Sequence, residues 1–259
     1  MNALDYTLIV FSALFGLAVG SFLNVCIYRI PKKVFFESKR SYCPECKAQL
    51  KWYHNVPLFS YIALKGKCAF CGAKISPRYP IVEFLNAALW VATYFVYGPS
   101  FQTLQIDLII SVLIVMSFID FDTKEIPDGI HAVLIVLGIA GIFLCRSYGG
   151  GDILWWEKLI GALAVSVPMF VIALITGGIG GGDIKLYFAL GLILGWKLIL
   201  AAGLISVLLG GLGGVILMLM KKAGRKTEMP FGPYIAIASL VTLYFGEDLL
   251  SWYIGLMGF

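Results

Sequence analysis

Residues 184–220 read IKLYFALGLILGWKLILAAGLISVLLGGLGGVILMLM, 37 consecutive positions without an acidic residue. A helix needs about 20 apolar residues to cross a hydrocarbon core of about 30 Å, so this run is too long for a single crossing. Gly195-Trp196-Lys197 supplies a turn, an interfacial aromatic and a charge. The stretch therefore predicts two spans that meet there. Its upstream flank, Gly177-Gly178-Ile179-Gly180-Gly181-Gly182-Asp183, packs five glycines into seven residues that end in an aspartate.

The same character holds along the chain. Of 259 residues, 60% are apolar and 14% charged, against about 25% charged in soluble domains. A soluble fold of this size has no place for so much apolar surface, which excludes an ordinary soluble enzyme, a disordered chain and a disulfide-rich scaffold. Further apolar runs lie at residues 6–28, 80–97, 104–119, 130–144, 159–175 and 231–245. With the split at Gly195, the sequence predicts an all-α polytopic membrane protein of about eight transmembrane helices. Residues 246–248 interrupt the apolar tail, so residues 249–259 are expected along the outer interface, with Trp252 and Tyr253 as anchors.

Charge sets the orientation. Asp5 precedes the first run, and Arg29, Lys32 and Lys33 follow it. That polarity is opposite to a cleaved secretory signal. The positive-inside rule then places the N-terminus outside. Seventeen basic residues fall in inward loops, including Lys221, Lys222, Arg225 and Lys226; only Arg146, Lys158 and Lys197 fall outward. Residues 30–79 alone carry a net charge of +8. The expected organisation is a first span (1–29), a cytoplasmic module (30–79) and a membrane core (80–259).

The module contains Cys43-Pro44-Glu45-Cys46 and Cys68-Ala69-Phe70-Cys71, 21 residues apart. Two C-x-x-C turns provide the four thiolates of a closed tetrahedral zinc site. A segment of about 50 residues cannot build a large core, so a metal staple has a physical purpose. The competing reading is redox chemistry, disfavoured in a reducing compartment. Cys26 and Cys145 read as unpaired packing residues near opposite ends of spans.

Acids beside apolar spans are costly and usually line a cavity or pathway. Asp107 reads as a helix-start carboxylate at an outward interface, and Glu83 lies in the first turn of the second span. Asp120 ends an apolar run and opens a polar inward loop containing Asp122, Glu125 and Asp128. Residues 184–194 span only about 16 Å of helix, so Asp183 is expected at a half-helix N-terminus in a wet cleft, where irregular backbone is tolerated. Two aspartates at the cytoplasmic ends of different spans suggest an aspartyl hydrolase: one carboxylate takes a proton from water while its partner delivers one. Gly180 and Gly182 would hold an extended substrate beside them.

Gly180-x-Gly182-Asp183 with Lys185 resembles the G-x-G-D-x-K signature of the type IV prepilin peptidases, which are membrane aspartic proteases. Gly20-Ser21-Phe22-Leu23-Asn24-Val25 with Arg29 and Pro31 is similar to that family's first span. The paired cysteines, Arg78-Tyr79-Pro80 with Glu83, the stretch from Asp120 to Asp128, and Pro230-Phe231-Gly232-Pro233 follow in the same order. The resemblance covers essentially the whole chain. It implies cleavage of prepilin or pseudopilin leaders at the cytoplasmic face of a bacterial inner membrane, after a glycine, with catalysis by Asp120 and Asp183 and support from Glu83 and Lys185. It also implies N-methylation of the new terminus from S-adenosylmethionine, and zinc on Cys43, Cys46, Cys68 and Cys71. The expected partners are prepilin N-terminal segments and the lipid bilayer; nucleic acid is not expected. Residues 30–79 contain no G-x-G-x-x-G and are too short for a Rossmann-type donor domain. The alternatives are a transporter, since Gly-rich broken helices also build transport sites, and a non-enzymatic assembly anchor with a zinc knuckle.

Overall fold

The computed structural model describes residues 2–35, 41–144, 147–148, 151–152, 154–220 and 229–256. Cys145, Arg146 and the basic cluster at 221–226 lie outside the described residues. Among those described, the order is α1 (Ala3–Arg29), a 3-10 turn (Trp52–Asn55), α2 (Phe59–Ala63), α3 (Arg78–Tyr97), α4 (Phe101–Thr123) and α5 (Asp128–Leu144). A two-residue hairpin follows, β1 (Ser147–Tyr148) and β2 (Gly151–Asp152), then α6 (Trp155–Ala164), α7 (Ser166–Thr176), α8 (Gly181–Leu219) and α9 (Gly232–Leu256).

Among the described residues, six segments are long and apolar enough to cross a membrane, with α6 and α7 counted together as Trp155–Thr176; α5 is apolar over Asp128–Phe143 but shorter. The 39 residues of α8 are not one rod. Gly195 has φ +74° and ψ 173°, a region essentially closed to residues with a Cβ. Across it, Tyr187 and Ser206 share a hydrogen bond between their hydroxyls. Nineteen residues of straight helix would separate them by about 28 Å. Residues 181–194 and 196–219 therefore fold back beside one another, as the sequence predicts, and the described residues make about eight helical passes. Trp196 and Lys197 at this turn meet Glu157, through Nε1 at 3.2 Å and Nζ at 3.8 Å.

The chain divides into two compact units, Met1–Val115 and Met116–Phe259. In the first, α1 packs on α3 through Gly16 and Gly20, one helical turn apart. A Cβ at Gly20 would stand 2.7 Å from Glu83 Cα, so only glycine permits the approach. Polar side chains then stitch the helices together: Asn86 Nδ2 donates to Gly16 O at 2.8 Å, Ser111 Oγ donates to Asn86 Oδ1 at 2.9 Å, and Trp90 Nε1 donates to Ser111 Oγ at 3.2 Å. Asp107 corrects its expected role. It is buried, and its backbone oxygen also accepts from Trp90 Nε1. The helix starts earlier because Ser100 Oγ accepts from the Thr103 N–H and caps it.

In the second unit, Leu186, Ala189, Leu190 and Ile193 on the first half of α8 are fully buried, as are Ile235 and Ala238 on α9. Lys158, counted outward from the sequence, is 1% exposed and donates Nζ to Gly141 O at 2.9 Å. α9 runs on to Leu256, with a single distorted residue at Phe245, where the sequence suggests a break one residue later. Cys26 is buried and free, in keeping with a packing role.

Candidate active site

Both aspartates expected to react lie in the second unit, each beside a helix N-terminus. Asp120 occupies the last turn of α4 and is 4% exposed. Its Oδ2 accepts from the Gly232 N–H at 2.8 Å. Gly232 opens α9, so this N–H is one of the donors that a helix leaves without an internal partner. Pro233 follows it, where a missing N–H costs nothing. A Cβ on residue 232 would lie 2.8 Å from Asp120 Oδ2 and 2.7 Å from Met116 Sδ. Glycine is the residue that lets the backbone reach this carboxylate.

Asp183 stands in the first turn of α8, two residues after its first, half-buried. Gly180 is extended, with φ −67° and ψ 135°, and its carbonyl accepts from the Asp183 N–H at 3.2 Å. A Cβ at Gly180 would be 3.3 Å from Asp183 Oδ2, and one at Gly182 would be 3.3 Å from Ile126 Cβ. Gly180 thus leaves the space beside the Asp183 carboxylate open, and Gly182 lets Ile126 pack against the start of α8. The Asp120 and Asp183 carboxylates are close enough to interact as charges. Two acids 63 positions apart in sequence are brought together by the ends of α4, α8 and α9.

Lys185 does not reach either acid. Its Nζ pairs with Asp128 Oδ1 at 2.7 Å, and both side chains are largely exposed. Asp122 is exposed as well, which leaves Asp120 as the buried acid of its stretch. His131 is the residue that sequence reasoning misses. It is 3% exposed, shares a hydrogen bond between Nε2 and Gly182 O at 2.9 Å, and lies 3.8 Å from Asp128. Its signal was its position one turn after Asp128, on the face that α5 turns towards the glycine segment.

The four cysteines form a second cluster, in the first unit. The two knuckles share one backbone design: Cys43 N donates to Ala48 O and Cys68 N to Ala73 O, while Lys47 N returns to Cys43 O and Gly72 N to Cys68 O. Lys47 and Gly72 take positive φ at matching positions, 59° and 71°. The four Sγ atoms lie within 4.8 Å of one another, and Cys43 and Cys71 are 4.0 Å apart. A tetrahedron of 2.3 Å Zn–S bonds has edges of about 3.8 Å, so the donor set fits a metal. The Cys68 thiol is drawn from its ordinary 9.0 down to about 7, first by the Cys71 N–H and next by the Phe70 N–H. Such donors favour the thiolate that binds metal. Glu83 belongs to this unit. Its Oε2 accepts from the Leu58 N–H at 2.8 Å.

Residues 14–97 match the bacterial peptidase A24 N-terminal domain, and residues 108–215 match the type IV leader peptidase family. Over its full length the chain is 34% identical to the whole of a prepilin leader peptidase/N-methyltransferase from Pseudomonas aeruginosa. The chain belongs to the type IV leader peptidase family. Two other relatives of the same name, from Aeromonas salmonicida and Bacillus subtilis, are each 35% identical over 93% of the chain and 92% and 96% of their own lengths. No solved structure matches. The transporter reading finds no support beside this membership.

Proposed function

We propose that this protein is a membrane aspartic endopeptidase that removes the leader of type IV prepilins or pseudopilins at the cytoplasmic face of a bacterial inner membrane, and then methylates the new N-terminus. The observation that carries the peptidase reading is the approach of Asp120 and Asp183 within each other's field, with Gly232 N–H fixing the first and the glycine segment freeing space around the second.

One aspartate, ionised, takes a proton from water as the oxygen attacks the scissile carbonyl. The other, protonated, gives its proton to the developing oxyanion or the departing amine. A charge on one carboxylate disfavours a charge on its neighbour, which suits the pair to those unequal states. Gly180 leaves room for an extended substrate backbone next to Asp183. A pilin's apolar N-terminal helix enters among the spans, leaving its cleavage site at the polar end where these acids lie.

Cys43, Cys46, Cys68 and Cys71 would hold a structural zinc that ties the two knuckles together, four thiolates being the donor set of a closed, non-catalytic site. S-adenosylmethionine, when bound, supplies an electrophilic methyl group. The test is mass spectrometry of a prepilin co-expressed with the protein. Loss of the leader together with a gain of one methyl group supports both activities. An intact leader refutes the peptidase reading, and a cleaved but unmethylated product refutes the second.

A further inference from the structure

The first unit holds a half-open cavity of about 660 Å³ between α1, α3 and the four-cysteine module, within the 300–1,000 Å³ usual for small-molecule sites. Its walls carry several aromatic rings: Tyr28 from α1, Tyr79 from α3, and Tyr42, His54 and Tyr61 from the module all line it. Flat π faces of this kind stack on a purine and attract a cation. Among the charged groups lining it are Arg29, Glu45, Lys74 and Glu83.

Glu83 is the group that calls for a ligand. It is 7% exposed, and its carboxylate is held by the Leu58 N–H and the Ser21 hydroxyl, both neutral donors. Among the described residues no cation is paired with it. A buried carboxylate without a counter-ion is costly, and this one is deliberately fixed. Leu58 adopts φ +59°, a backbone state unfavourable for a branched side chain, and it is this strained turn that presents the N–H to Glu83. Strain kept at a cavity wall commonly serves a ligand.

We infer that this cavity binds the methyl donor, a nucleoside carrying a sulfonium, with Glu83 as the counter-ion to the sulfonium and the tyrosines as the stacking surface for the base. The inference rests on the methyltransferase reading above and deepens it by giving the donor a site. Two knuckle cysteines, Cys43 and Cys68, line the same cavity, so the metal staple also shapes the donor's wall.

The test uses the full-length protein in detergent. Equilibrium dialysis with labelled S-adenosylmethionine compares wild type with Glu83→Gln, which keeps an acceptor for the Leu58 N–H and removes only the charge. The expected loss is about tenfold or more in affinity, as for removing one partner of a close charge pair. Retention of zinc by the variant reports that the module is intact. In parallel, ultraviolet crosslinking of labelled S-adenosylmethionine to the wild type, read by peptide mapping, is expected to mark residues 18–83, and this arm holds even where the variant fails to fold. Unchanged affinity in a zinc-loaded Glu83→Gln protein, or label confined to residues 116–259, overturns the inference while leaving the methyltransferase reading standing. A wild type that neither binds nor transfers the methyl group overturns that reading, and the inference falls with it.

Discussion

Replacing Gly232 with alanine probes the active site without touching an acid. The added Cβ would stand 2.8 Å from Asp120 Oδ2 and 2.7 Å from Met116 Sδ, closer than a carbon and an oxygen or sulfur can rest. Met116 has three flexible torsions and can swing aside. Asp120 has no such freedom, because moving its oxygen stretches the 2.8 Å bond from the Gly232 N–H. The backbone itself accepts the change, since residue 232 opens a helix and its φ is not positive. The cost therefore falls on the carboxylate's position more than on the fold. A hydrogen bond to a charged group contributes about 1.5–3 kcal/mol, which translates to roughly a 10- to 100-fold lower kcat if the bond is lost in the transition state. The assay is cleavage of a purified prepilin by detergent-solubilised enzyme, with kcat and KM measured separately and thermal unfolding recorded alongside. KM should change little. A variant with wild-type kcat and wild-type stability would refute the argument that the Gly232 N–H positions Asp120.

Other perturbations separate the parts of the account. Gly195→Ala places a Cβ at φ +74° and ψ 173° and should destabilise by about 1–3 kcal/mol, seen as a lower melting temperature with the residual folded protein still active. Lys185→Ala breaks an exposed ion pair with Asp128 worth less than about 1 kcal/mol, so cleavage should stay within a few-fold of wild type; a loss as large as that of an active-site acid would give Lys185 a direct role. Purified protein should carry one zinc, absent in Cys43→Ser, as measured by elemental mass spectrometry. Because thiolates must lose their protons to bind metal, zinc affinity should fall as the pH is lowered, with release in acid and retention at and above neutrality.

Much of this architecture is legible in the sequence because membranes impose strict lengths. The 37-residue apolar run had to fold back, and Gly195 was the residue able to turn it. The four cysteines announced themselves by spacing, and Asp120 and Asp183 by their cost beside apolar helices. What remained hidden depended on packing between distant segments. No local pattern shows that the Gly232 N–H reaches Asp120 across 112 positions, or that His131 meets Gly182. Lys158 looked like a loop charge until its Nζ was found buried against Gly141 O. Asp107 was misplaced for a simpler reason: the cap at Ser100 begins α4 on polar residues that hydropathy excludes.

The central claim is that Asp120 and Asp183 together perform the hydrolysis. Its most direct measurement is prepilin cleavage by purified Asp120→Asn and Asp183→Asn proteins, each checked for zinc content and thermal unfolding. Each substitution keeps the side chain's shape and removes its ability to exchange a proton, so both proteins should remain folded and leave the leader uncut. Cleavage at the wild-type rate by either one would contradict the account.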